Sequence, residues 1–324
     1  MLTQLDRTAK TSAAPDLPGR RLRPRWSAPH GHSLQAWKGA AFTAPFFLGF
    51  GIVFLLPFGY AIYQSLFLVQ TSGLGLGGST LKFVGLRNFS RGIGDPDFLG
   101  AVGRVLLFAC VQIPLMLAVS LAMALLLDAL RPRAANRMRV PLLVPYMIPG
   151  IVAALIWVNI YSPDVGPLTP LGRSLGWAWD FFAPSMVWPS IGNLLTWHGI
   201  GYNMLIIYAS LRSVPRELFE AARVDGASEV RIARSIKIPL VRGALVLTGM
   251  LSIIQMLQIF NEPALFRHVT PQTVTQNFSP IMMIYDQAFN SGNYNYASAL
   301  SVLLALVVGA LSYLFYRFTN RSTS

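Results

Sequence analysis

The chain has 324 residues, 53% of them hydrophobic and only 12% charged, with a mean hydropathy of +0.50. That balance lies outside the usual soluble range and points to repeated membrane crossing, so length does not convert into a number of soluble domains. A formal charge of +13 raises nucleic-acid binding, but the cations are split among loops flanking apolar runs, which membrane topology explains better.

Residues 1–39 read as a basic, disordered cytoplasmic tail, with RRLRPRW at 20–26 in Pro-rich surroundings. Its charge serves as an orientation signal, with contact to anionic membrane lipid as the alternative. Residues 40–324 read as one polytopic transmembrane domain, all-α. A helix needs roughly 20 apolar residues to cross about 30 Å of hydrocarbon. Six runs approach that length, near 42–69, 104–127, 140–161, 187–211, 243–261 and 297–316, which predicts six transmembrane helices.

The first run, FTAPFFLGFGIVFLLPFGYAIYQSLF, is preceded by about 40 residues and lacks a small-residue cleavage site after a short apolar core, so it is expected to stay in the mature protein. The second holds the lone Cys110, which rules out an intrachain disulfide framework and a cysteine-based metal site. His30, His32, His198 and His268 have no ligand spacing, and HExxH and GxSxG are both missing. No metal site and no catalytic residue are expected.

In the fourth run WHGIGYN sets Trp197, Gly199, Tyr202 and Asn203 near mid-membrane, and in the fifth Gln255, Gln258 and Asn261 recur every three residues, close to one helix face. Polar groups need partners when desolvated, so these residues form a candidate solute path. Hydrogen-bonded packing between helices is the competing reading. His198 has no charged partner in its run and reads as a packing residue rather than a proton relay.

Between those two runs lies ELFEAARVDGASEVRIARSIKIP, residues 217–239, the densest concentration of charge in the chain. Ser213 and Pro215 suit the start of a helix, and Leu218, Ala221 and Ala222 fall at i, i+3 and i+4 as an apolar stripe opposite Arg216, Glu220 and Arg223. Gly226, after Asp225, predicts a break; Ser228 caps a second helix in which Ile232 and Ile236 share a face, and Pro239 marks its end. An amphipathic surface hairpin would show the same periodicity. Residues 262–296 read as an outside loop.

With the N-terminus inside, 20 of the 26 Lys and Arg fall on the tail, the 128–139 segment, the 212–242 loop and the C-terminus, as the positive-inside rule requires for six spans with both ends cytoplasmic. The cores of the six runs carry no Asp, Glu, Lys or Arg, although Arg104 and Glu262 sit at margins, which counts against a proton-driven carrier. None of the four lysines follows the glycine pattern of a phosphate-binding loop. This chain is therefore expected to bind no cofactor, and any ATP and Mg belong to a partner.

The 217–239 stretch resembles the EAA loop of membrane subunits of bacterial ATP-binding-cassette importers. Glu220, Ala221, Ala222, Gly226, Ile236 and Pro239 stand at the family's intervals, with Ile238 where Leu is usual, and VDGAS at 224–228 is similar to the carbohydrate-uptake branch. FVGLRNF at 83–89, DPDF at 95–98, VPYMIPGIVAALIWVNIYSPDVG at 144–166 and NYASALSVLL at 295–304 look like the first permease subunit of maltose-type and glycerol-phosphate-type systems. The resemblance implies a type I importer-like fold in the bacterial cytoplasmic membrane, with coupling loop 213–242. It further implies ATPase coupling through Glu220, Ala221, Ala222, Asp225, Gly226, Ile236 and Pro239. A second permease subunit, ATPase subunits and an extracytoplasmic solute-binding protein would be its partners. A self-contained ion-coupled carrier is the competing class, and a membrane scaffold a third.

Overall fold

The computed structural model describes residues 32–71, 79–177 and 179–321. Most of the expected tail, residues 1–31 with RRLRPRW, therefore lies outside the described residues. The chain divides into two units, Met1–Leu55 and Leu56–Ser324. In the first, helix α1 (His32–Phe50) already covers the last residues assigned to the tail and passes into a π turn, Gly51–Leu55. Phe46, Phe50 and Phe54, four apart, stack along it at 6.4 and 5.3 Å between ring centroids.

The second unit opens with α2 (Leu56–Ser65) and an antiparallel hairpin, β1 (Phe67–Thr71) with β2 (Ser79–Phe83), in the register Phe67↔Phe83 to Thr71↔Ser79. The first expected span thus stops at Ser65, and its last residues turn into a strand instead. Short α3 (Arg87–Ile93) leads to the long α4 (Pro96–Ala129). Asp95 caps α4 by accepting from the N–H groups of Asp97 and Phe98 at 3.0 and 3.4 Å, with Pro96 in the first turn.

Helix α4 shows the solvent for which this unit is built. One face buries Val105, Ala109, Ile113 and Met116, and the opposite face exposes Leu107, Val111 and Leu115, spaced by one turn. The polar residue, Gln112, points inward and donates to Gly192 O at 2.9 Å and Thr196 Oγ1 at 2.7 Å. Apolar outside and hydrogen-bonded inside is the arrangement a helix takes among lipid tails.

The expected third span is not one helix. After α5 (Pro132–Met147) the backbone of Ile148 is extended, because the proline ring that follows excludes the helical region, and α6 (Gly150–Tyr161) departs at 92°. Beyond α7 (Leu168–Ser174) comes α8 (Val187–Arg212). The upper part of α4 packs with Val187, Ile191 and Leu194 of α8, and its lower part, Ala124 and Leu127, with Met204, Ile207 and Leu211, so the two helices run parallel. Helix α5 lies so close to α8 that a β-carbon on Gly201 would stand 2.0 Å from Leu142 O.

Two short helices follow, α9 (Glu217–Val224) and α10 (Glu229–Ile232), then a π turn, Ala233–Lys237, and α11 (Ile238–Leu240). The chain bends by 64° into α12 (Arg242–Leu257). The expected fifth span ends there rather than at 261. The expected outside loop is not an open loop either. It contains α13 (Asn261–Val269), α14 (Pro280–Tyr285) and a π turn, Asp286–Asn290, and places Phe266, Val274 and Met282 in the core. Ser279 caps α14 and also donates to Ile259 O at 2.9 Å. Last comes α15 (Tyr294–Arg321).

Among the described residues three stretches are long and apolar enough to cross a membrane, Gly39–Ser65, Pro96–Ala129 and Tyr294–Thr319, or up to five if each bent pair is one span. Helix α8 is as long but too polar for that criterion. Its Ser190 and Asn203 are buried, and its Thr196 meets Gln112.

The motifs around 88, 95 and 295 are structural ties. Buried Asn88 donates to Ser65 O and Phe67 O, both at 2.8 Å, and Asn295 to Gln64 O at 2.9 Å. Tyr296 donates to Asp95 Oδ2 at 2.5 Å while Arg91 lies 4.0 Å over its ring. They lash the hairpin and the starts of α4 and α15 into one body.

Candidate functional site

Two regions gather the residues singled out from the sequence. In the first, the expected helix, break and helix are present, but the start differs. Ser213 closes α8, donating to Ser210 O at 2.8 Å, and α9 begins at Glu217. The inward face also differs from the expected stripe: Phe219 is the inward anchor at 7% exposure, while Leu218 is 49% exposed. Glu220 and Ala221 lie on the exposed side and Ala222 is half-buried.

Gly226 takes φ +80°, the left-handed region that L side chains disfavour. Its N–H reaches Arg223 O at 3.0 Å, and that of Ala227 reaches Ala222 O at 2.9 Å. This pair of bonds is a Schellman turn, and it satisfies the carbonyls that α9 leaves open. Ser228 accepts from Arg231 N at 3.4 Å, as expected of a cap. Across the turn Arg223 Nε donates to Glu229 Oε1 at 2.6 Å. That hydrogen bond raises the Arg223 pKa and holds the Glu229 carboxyl below its ordinary range.

Sequence periodicity paired Ile232 with Ile236. The π turn adds one residue to the loop of the helix, so that Ile232 and Lys237, five apart, both face inward and Ile236 is only half-buried. Pro239 lies in the short α11, within two residues of its end. Lys237 Nζ contacts Asp128 Oδ2 at 2.6 Å, with side-chain exposures of 7% and 11%, and lies 5.2 Å over the Phe219 ring. Asp128 stands in the last turn of α4, where the helix dipole disfavours an anion. An acid there, at the end of a long apolar helix, is the sequence signal for this pair. A cavity of about 510 Å³ opens beside it, lined by Asp128, Arg216, Phe219, Glu220 and Lys237 among others.

The second region is a cavity of about 570 Å³ whose wall includes Gly199, Tyr202, Asn203, Gln255, Gln258 and Asn261. These come from α8, α12 and α13. The glutamines and Asn261 do not share one helix: Gln258 is the C-cap of α12 and Asn261 begins α13, so they meet where the helix is interrupted. Trp197 is not on this wall; it packs edge-on against Trp157 at 5.7 Å.

Among the polar side chains of the wall, sequence reasoning missed Tyr146, Ser252 and Glu262, and read His198 only as packing. Tyr146 stacks on Tyr202 with centroids 4.6 Å apart and planes within 13°, forming an aromatic platform. His198 Nε2 lies 3.0 Å from Ile148 O. A carbonyl can only accept, so this nitrogen carries the proton and satisfies backbone left open by the break between α5 and α6. Glu262 faces the start of α6, where a β-carbon on Gly150 would lie 3.6 Å from its Oε1. Burial pushes its carboxyl above the ordinary glutamate range, opposed by its own backbone N–H and by His198.

The family described as "Binding-protein-dependent transport system inner membrane component" matches residues 118–324. The lactose transport system permease protein of Rhizobium radiobacter is 28% identical over 292 residues, covering 88% of this chain and 95% of that protein. The diacetylchitobiose uptake system permease protein of Streptomyces coelicolor is 31% identical over 288 residues, covering 84% and 80%. An sn-glycerol-3-phosphate transport system permease protein of Yersinia pseudotuberculosis is 29% identical over 273 residues, covering 83% and 90%. Among solved structures, a chain of a bacterial ABC transporter involved in the import of the acidic polysaccharide alginate has the same fold, with a TM-score of 0.76 at 18% identity over 90% of this chain and 98% of that one.

Proposed function

The chain belongs to the family of binding-protein-dependent transport system inner membrane components, and from that premise we propose that it forms half of the translocation pathway of an ATP-driven importer for a carbohydrate or related polyol. The observation that carries this reading is the helix–turn–helix of 217–240: it exposes Glu220 and Ala221 and is fastened to α4 by the Asp128–Lys237 pair. A partner ATPase, holding ATP and Mg, would dock on Glu220, Ala221 and Ala222. Asp225 and Gly226 set the bend, and Ile236 and Pro239 belong to the segment that returns to the membrane. Closure of the ATPase would then move the lever as a rigid body together with α4.

Six spans follow if α8 counts as one, and its parallel packing with α4 supports this: the bent pair α5–α6 must carry the chain back between them. The distribution of Lys and Arg supports cytoplasmic termini. A second, paralogous permease would complete the cavity, and an extracytoplasmic solute-binding protein would deliver the solute. The polar wall from Gly199 to Asn261, with the Tyr146–Tyr202 platform, suits hydroxyl-rich solutes.

Energy dependence tests the proposal. The chain is reconstituted in vesicles either alone with an imposed ion gradient or with its companion permease, ATPase and binding protein plus ATP. Uptake of labelled mono- and disaccharides is expected only in the second case. Uptake by the chain alone, driven by the gradient, identifies it as a self-contained carrier and ends the importer reading.

A further inference from the structure

We propose that Glu262 is the charge filter of the cavity between α8, α12 and α13, admitting neutral hydroxyl-rich or cationic solutes and turning away anionic ones. The inference rests on reading that cavity as part of the solute path, and it adds a property that the family does not share as a whole, since several relatives are sn-glycerol-3-phosphate transport system permease proteins.

Of the described residues on the cavity wall, Glu262 is the one carboxylic acid, and none is Lys or Arg. An anionic group passing along this wall would leave water without a fixed cation on it to receive the charge, a costly transfer where no counter-charge is present. His198 offers little relief, because its Nε2 proton is committed to Ile148 O. Glu262 Oε1 lies beside Gly150 in the first turn of α6, and the positive end of that helix's dipole favours the ionised carboxylate against the burial that raises its pKa.

For a neutral sugar the same elements are attractive. The carboxylate accepts from hydroxyls in charge-assisted hydrogen bonds. The amides of Gln255, Gln258 and Asn261 both donate and accept, and the Tyr146–Tyr202 platform offers an apolar face to a pyranose ring. A solute bearing an ammonium would gain further.

The local potential can be measured without knowing the solute. In the assembled importer with Cys110→Ala, a single cysteine is placed at Gln258 (Gln258→Cys) or, as an independent position, at Tyr202 (Tyr202→Cys). Modification of this chain by a cationic and an anionic methanethiosulfonate of similar size is followed by mass at mildly alkaline pH. With Glu262 present the cationic reagent is expected to react about tenfold faster relative to the anionic one than with Glu262→Gln, given the potential of one charge at this range in a partly wetted site. Reaction at either position with a ratio unchanged by Glu262→Gln overturns the filter and leaves the cavity reading standing. No reaction with either reagent at both positions overturns the cavity reading, and the filter with it.

Discussion

Replacing Asp128 by asparagine is expected to destabilise the assembled importer and stop uptake, because it leaves Lys237 as an unpaired cation with a side-chain exposure of 7%. Removing one member of a buried pair costs about 3–5 kcal/mol, whereas replacing both by apolar residues of similar size is close to neutral. Lys237→Met alone should be comparably harmful, since it strands the Asp128 carboxylate at the unfavourable end of the α4 dipole. The double variant Asp128→Leu, Lys237→Met should recover most of the thermal stability of the detergent-solubilised complex. It should also recover part of the uptake, to the extent that apolar packing against Phe219 keeps the lever attached. Losses that simply add in the double variant would show that the two side chains act separately.

The second large effect is expected at the turn. Gly226→Asp should abolish uptake with the chain still inserted, and so should Ala222→Trp. A β-carbon at Gly226 would touch nothing within 4 Å, so the penalty lies in the backbone alone: φ is +80°. Forcing an ordinary residue there costs roughly 1–2 kcal/mol, too little to unfold the bundle but enough to open two hydrogen bonds and swing α9 relative to α10. Gly226→Asn, which enters the left-handed region more readily, should retain measurable uptake. Ala222 is half-buried beside the exposed Ala221, and an indole there would hold any docking surface away. Membrane insertion is checked by fractionation, association by co-purification of the ATPase, and function by uptake. Normal association together with normal uptake in Gly226→Asp and Ala222→Trp would sink the coupling assignment.

Much of the lever was legible because its signals are local. Gly226 after Asp225, Ser228 as a cap and the charge density of 217–237 each depend on a few neighbouring residues. The inward side of the lever was not legible. A tertiary contact, Phe219 with Lys237, decides between Leu218 and Phe219, and a π turn decides between Ile236 and Lys237. The break before Pro149 had its sign in the Ile148–Pro149 pair, but it was hidden within a run apolar enough for a span. The α13–α14 region reads as a loop because its apolar residues are interleaved with Asn, Gln and Pro. Only packing against α4, α6 and α15 makes helices of them. Glu262 was noted as marginal to the fifth run; what placed it on the cavity wall is the end of α12 at Leu257, four residues sooner than the apolar run suggested.

The π turn at 233–237 also fixes where this gene can lose a codon. Such a turn is equivalent to one residue inserted into an α-helix. Excising the exposed Arg234 or Ser235 would leave Lys237 four residues after Ile232 instead of five, still on the inward face and within reach of Asp128. Either deletion is expected to yield a folded chain with its ion pair in place, while removal of any single residue from α9 would rotate Phe219 away from Lys237. Paired deletion libraries across the two helices, scored by expression and uptake, would show one narrow window of tolerance inside an otherwise intolerant lever.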